Sequence, residues 1–124
     1  MKPKLTKEQK KELRKLESEE IKRRFLRACV LAGLPEPVQE FKFLPDRRFR
    51  LDYYFPSFRL ACEQEGAIWT KGRHNHPTGF LKDKEKYNLL TLSGIWLLRF
   101  TPQEIKSGVA VSDILKFTLT LPFP

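Results

Sequence analysis

Long apolar runs are missing from this chain: no stretch of its 124 residues approaches the eighteen or so needed to cross a bilayer. The first residues, MKPKLTKEQKK, are charged and lack the apolar core of a secretory signal, so a soluble protein of the cytoplasm is expected, with no membrane partner. Cysteine is scarce as well. Cys29 and Cys62 sit in apolar surroundings and are too few for a thiolate metal site, so both are read as reduced core residues rather than a disulfide. Linkers of low complexity and internal repeats are absent. One domain is therefore expected over residues 1–124, made of a basic helical arm (1–24), a core (25–108) and a C-terminal helix and tail (109–124). Acidic residues are also in deficit, 15 Asp and Glu against 24 Lys and Arg, and the net charge of +9 points to a polyanionic partner. Nucleic acid ranks first and an anionic membrane surface second.

What is present in quantity is apolar and aromatic: 40% of the residues are hydrophobic and ten are Phe, which excludes a disordered chain. The stretch that organises the rest is RRFRLDYYFPSFRLACEQEG, from Arg47 to Gly66. It reads as two strands about the turn Pro56-Ser57. In the first, Phe49, Leu51, Tyr53 and Phe55 alternate with Arg48, Arg50, Asp52 and Tyr54. In the second, Arg59 to Glu65, the residues Ala61, Glu63 and Glu65 share one face, against Leu60, Cys62 and Gln64 on the other. A closed hairpin adds Asp52 to the two glutamates. Like charges about 4 Å apart cost about 4 kcal/mol per pair at an effective dielectric near 20, so such a group takes a cation or takes up protons. Oxygen ligands of this kind suit Mg²⁺ or Mn²⁺. Spacing alone leaves a second reading open, in which Glu63 and Glu65 are the solvated face of an edge strand.

Around this stretch the elements follow from periodicity and punctuation. Thr6 and Gln9 fit a capping box, Leu13, Leu16, Phe25, Cys29 and Ala32 recur at helical spacing, and Gly33 with Pro35 stops the helix. Residues 1–32 hold eleven Lys or Arg against five Glu. Lys7, Lys11, Arg14, Lys15 and Lys22 fall to one side, which suits phosphates or simply a solvated face with i,i+4 pairs Glu19–Arg23 and Glu20–Arg24. Val38 to Leu44 is a first strand pairing with Arg47 to Phe55. After Gly66 a polar loop carries Lys71, Arg73, His74 and His76. There Arg73 or Lys71 suits a phosphate and His74 a general base, against the alternative of ordinary surface residues. Phe80 to Ser93 reads as an amphipathic helix and Ile95 to Phe100 as a strand buried on both faces, which makes a βαβ crossover with parallel strands. Thr101-Pro102-Gln103-Glu104 caps a short helix, and a last helix covers Ser112 to Leu119.

The order helix, three-strand meander, crossover helix, fourth strand resembles the core of the PD-(D/E)XK nuclease superfamily. The wording RFRLDYYFP, LACEQEG-x-x-W, GRH, F-x-KD-x-EKYN and G-x-W-x-LRFTP, from about Phe25 to Gly108, looks like its very-short-patch-repair-like branch of small phage and bacterial endonucleases. The resemblance implies a mixed α/β, restriction-endonuclease-like fold in a bacterial or phage-infected cytoplasm. It implies a Mg²⁺- or Mn²⁺-dependent endodeoxyribonuclease in which Asp52 and Glu63 hold the metal. Glu65 stands where the superfamily name places lysine, a departure, although acidic residues occur there in this branch; a carboxylate at this place is suited to binding a second metal or orienting water, and the general base is left open. His74 and the lysines of KDKEK are the candidates to replace that lysine, and Glu19 or Glu20 for the helix glutamate of many relatives. Arg47, Arg48, Arg50, Lys71, Arg73, Lys82 and Lys86 are then the DNA contacts. The expected substrate is structured, branched, mismatched or nicked DNA. A Holliday-junction resolvase, which calls for a homodimer, is a subtype. A non-catalytic nucleic-acid-binding module and a regulatory protein such as an anti-restriction factor are the competing readings.

Overall fold

The computed structural model describes residues 3–65 and 77–121. Helix α1 (Lys7–Leu31) starts where expected. The Thr6 hydroxyl accepts from the Gln9 N–H at 3.0 Å, and the Gln9 side chain accepts from the Thr6 N–H at 2.8 Å, which satisfies two of the orphan donors of the first turn. At the other end Gly33, at φ 77°, lets the chain fold back so that the Leu34 N–H donates to the Cys29 carbonyl at 3.0 Å. Of the helix only Ile21, Phe25 and Cys29 are buried, and every described residue up to Glu20 is exposed. The pairs expected at i,i+4 are replaced by an exposed Glu20–Arg23 pair at i,i+3, 2.7 Å apart, which contributes at most a fraction of a kcal/mol.

Strands β1 (Val38–Lys42), β2 (Arg50–Phe55), β3 (Leu60–Gln64) and β4 (Trp96–Phe100) form one sheet in the order β1-β2-β3-β4. The first three are antiparallel, and β4 lies parallel to β3 after helix α2 (Pro77–Leu92). The expected meander, crossover and mixed α/β class are all present. Helices α3 (Pro102–Ser107) and α4 (Val109–Thr120) complete the chain. Thr101 caps α3 through a second reciprocal box with Glu104, with Pro102 at the first turn.

Strand alternation divides the core between the two faces of the sheet. Tyr53, Phe55, Leu60, Cys62 and Phe100 pack with Ile21, Phe25 and Cys29 of α1 and with Ile105, Ala110, Val111 and Ile114 of α3 and α4. Leu51, Tyr54 and Ala61 pack with Leu90 and Tyr87 of α2 on the other face. Both cysteines are buried free thiols, as expected.

The structure corrects several sequence expectations. The simple alternation along β2 fails, because Leu51 packs on the same side as Tyr54 while Tyr53 packs opposite. The break coincides with Glu40 on the neighbouring strand, which is left-handed at φ 49° between the rungs Gln39–Tyr53 and Phe41–Leu51. Strand β4 is not buried on both faces: it lies at the edge of the described sheet, Trp96 is 60% exposed, and only Phe100 is fully buried. Helix α2 begins at Pro77 rather than Phe80, and α4 begins at Val109 rather than Ser112. Arg59, read as strand, closes the Pro56–Phe58 turn in the left-handed region at φ 52°. Its guanidinium donates to the carbonyls of Ser93 (2.7 Å) and Gly94 (3.0 Å), and its own carbonyl accepts from the Trp96 N–H at 2.8 Å. Gly94, at φ 72°, turns α2 into β4 at this point, and a Cβ there would lie 3.1 Å from the Arg59 Nη2.

Candidate functional site

Strand β3 lies between β2 and β4, so Glu63 is not on an edge, and it is only 8% exposed. The solvated-face reading of this residue is excluded. Asp52 is the next position along β2 from the Tyr53–Cys62 rung and therefore stands across from Glu63, at the ~5 Å separation of facing side chains. Its Oδ2 accepts from the backbone N–H of Gln64 at 2.8 Å, which fixes the carboxylate at the end of β3.

Among the described residues Glu63 has one cationic partner, and it comes from α2. Lys86 Nζ donates to both carboxylate oxygens, at 2.8 and 3.0 Å, in a largely buried contact. The Glu63 carboxyl is nevertheless held above its ordinary range. Burial is the largest cause, the neighbouring Asp52 charge adds to it, and Lys86 pulls the other way. Glu65 continues the strand direction, with its N–H donating to the Phe100 carbonyl at 2.7 Å, and its carboxylate accepts from Nε of Arg99. That hydrogen bond, more than any other cause, raises the Arg99 pKa, against the opposing effect of burial. Arg99 also lies 4.8 Å from the centre of the Tyr87 ring, whose hydroxyl burial pushes up to about 12.

Three consecutive residues of α2 thus reach three different partners at this end of the sheet. Glu85 takes Arg47, Lys86 takes Glu63, and Tyr87 underlies Arg99. Among the described residues no group of three or more His, Cys, Asp or Glu side chains stands placed to hold a metal ion. What the fold brings together is the pair Asp52 and Glu63, with Glu65 engaged by Arg99. Two carboxylates still fit a hard cation, because Mg²⁺ keeps several waters and commonly takes one or two carboxylates together with substrate phosphate oxygens.

The other sequence candidates are dispersed. Arg48, Arg50 and Lys82 are exposed, and Arg47 stacks 5.0 Å from the Phe49 ring. Lys86, expected among the DNA contacts, instead faces the acid pair. Lys71, Arg73 and His74 lie outside the described residues. Of the two helix glutamates, Glu20 lines a cleft beside Gln64. Arg99 was not singled out from the sequence. Its signal is the parallel register, which sets Arg99 beside Glu63 once β4 is placed next to β3. Comparison with family models, curated proteins and solved structures returns no match.

Proposed function

We propose that this protein is a metal-dependent DNA endonuclease that hydrolyses phosphodiester bonds, in structured, mismatched, branched or nicked DNA. The observation that carries the reading is the facing pair Asp52 and Glu63 with Lys86 of the crossover helix bonded to Glu63. A buried glutamate beside a second, half-buried carboxylate is costly to keep charged, and the arrangement makes sense when a cation and a phosphate are to be held there. Asp52 and Glu63 would hold Mg²⁺ or Mn²⁺. When bound, such an ion supplies a Lewis acid for a phosphoryl oxygen and lowers the pKa of bound water.

The chain's own residues supply the rest. Gln64 orients Asp52 through its backbone N–H, and Lys86 orients Glu63 and brings positive charge to the place where the phosphate gains negative charge. Lys86 thereby fills the role left open by Glu65 at the superfamily's lysine position. Glu65, oriented by Arg99, is the carboxylate available to accept the proton of the attacking water, with His74 the alternative base. Water oxygen bonds to phosphorus as its proton passes to Glu65, the bond from phosphorus to the 3′ oxygen breaks, and that oxygen takes a proton from solvent water as it leaves. The exposed Arg48, Arg50 and Lys82, together with Lys71 and Arg73 of the segment after β3, would hold the duplex.

The test is cleavage of a panel of linear duplex, single strand, mismatched duplex, nicked duplex and four-way junction, with Mg²⁺, Mn²⁺ or EDTA. The expected result is metal-dependent product from the unaltered chain and none from Asp52→Ala or Glu63→Ala, both of which still bind DNA. A second reading has one observation in its favour: Glu63 and Glu65 each already have a basic partner, as a non-catalytic binding module would require. Tight binding with no cleavage under any metal would select it.

A further inference from the structure

Along one stripe of α1 the chemistry changes half-way. Ile21, Phe25 and Cys29 form its buried part and hold the helix to the core. Lys7 and Lys11 precede Phe25 and Cys29 by about five helical turns each, and Arg14 precedes Ile21 by about two, so all three lie on the same stripe. Glu8, Glu12, Glu19 and Glu20 fall off it, as do the exposed Leu13 and Leu16, while Ser18 lies on it and Glu17 borders it between Arg14 and Ile21. Lys7, Lys11 and Arg14 form no ion pair among the described residues. The side of the helix that seals the core therefore runs on, beyond the body, as a row of free cations.

The exposed part, Lys7 to Glu20, is about 21 Å long at 1.5 Å per residue. Its position is fixed by a cleft of about 510 Å³ in which Arg14, Ile21 and Arg24 of α1 face Gln64 at the end of β3 and Pro102 and Lys106 of α3. The base of the arm, from Arg14 on, thus lies beside the C-terminal ends of β3 and β4, and Lys7 and Lys11 extend beyond it. Gln64 joins this cleft to the acid pair, since its N–H holds Asp52. The cleft floor itself is mixed, with Glu17 and Glu20 beside Arg14, Arg24 and Lys106, whereas the stripe beyond it is basic alone.

We infer that the N-terminal half of α1 is a clamp for the sugar-phosphate backbone of duplex DNA on one side of the candidate site. An arm of this length follows about six base pairs at 3.4 Å each. The site then needs intact duplex on the side the arm covers and tolerates a break, branch or end on the other. The inference rests on the proposed nuclease reading only for the place of the scissile phosphate.

The experiment compares the full chain with Lys7→Gln/Lys11→Gln/Arg14→Gln, three exposed changes that keep good helix formers. Binding to a duplex three helical turns long is measured in EDTA across a salt series, with hydroxyl-radical footprinting of the same complexes. The expected variant has a salt slope smaller by roughly 2 to 3, at about 0.9 per lost phosphate contact, and, because the three cations span about 10 Å of helix, loses protection over about three base pairs at one end of the footprint only. An unchanged slope and footprint overturns the clamp, and so does a variant that binds as the parent does but sediments as a smaller species, which would make the arm a self-association surface. Arm-dependent footprints from a chain that cleaves nothing sink the nuclease reading and leave the clamp. Metal-dependent cleavage with an arm-independent footprint does the reverse.

Discussion

Lys86 is the residue on which the candidate site turns. Remove it and Glu63, 8% exposed, keeps Asp52 as a neighbour and loses its cation. Breaking a largely buried pair from one side costs about 3 kcal/mol, whereas replacing both partners with neutral groups of similar shape costs much less. Urea melts in EDTA should therefore show Lys86→Ala strongly destabilised and Glu63→Gln/Lys86→Met close to the parent. The same melts carry a pH signature. The native state binds the Glu63 proton more tightly than the unfolded chain does, so this residue's contribution falls as pH rises from about 4.5 through the higher native value, then levels off. Glu63→Gln should abolish that fall; a persistent fall would assign it to another group. Asp52 and Glu63 were legible in the sequence because strand alternation and a closing hairpin put them face to face. Lys86 was not separable from Lys82 and Lys84, since helix phase does not say which lysine meets a strand placed by tertiary packing.

Elements were legible where their ends are chemically marked. The Thr6/Gln9 and Thr101/Glu104 boxes set the starts of α1 and α3 where the sequence put them. The two caps should nevertheless behave differently. Thr101→Ala removes a cap from a helix packed on the core and should lower stability by about 1 kcal/mol in urea. Thr6→Ala frays an arm with no buried residue before Ile21, so it should reduce helical circular dichroism and leave the urea midpoint in place. Equal shifts of the midpoint would mean that the arm is coupled to the core. A helix start and the burial of a strand are among the features that escaped the sequence reading. Pro77 resembles a loop residue, yet proline is favoured in the first turn of a helix. The apolar run of β4 resembles a central strand, and apolar content does not reveal that a strand lacks a second neighbour.

On the scale of the whole molecule, a helix between two apolar strands dictates a parallel pair, and the mixed sheet followed from that rule. The split of the core was less legible, because Leu51 packs on the α2 side out of step with Tyr53 and Phe55, and residue types alone carry no trace of it. No helix of the described chain is long and apolar enough to cross a membrane.

Arg59 has a temporal consequence. By gripping Ser93 and Gly94 it draws residues 59 to 94 into a closed loop whose neck is the first rung of the parallel pair, Leu60 beside Trp96. Shutting that neck carries the loop-closure entropy of this segment, and each later rung of the parallel pair is then local. Arg59→Ala should consequently refold more slowly in stopped-flow experiments with little change in its unfolding rate; faster unfolding at an unchanged refolding rate would place the closure after the barrier. Glu63 on one limb of the loop and Lys86 on the other then meet in a single event, so a chain that has not closed its neck holds half of the candidate site and no more.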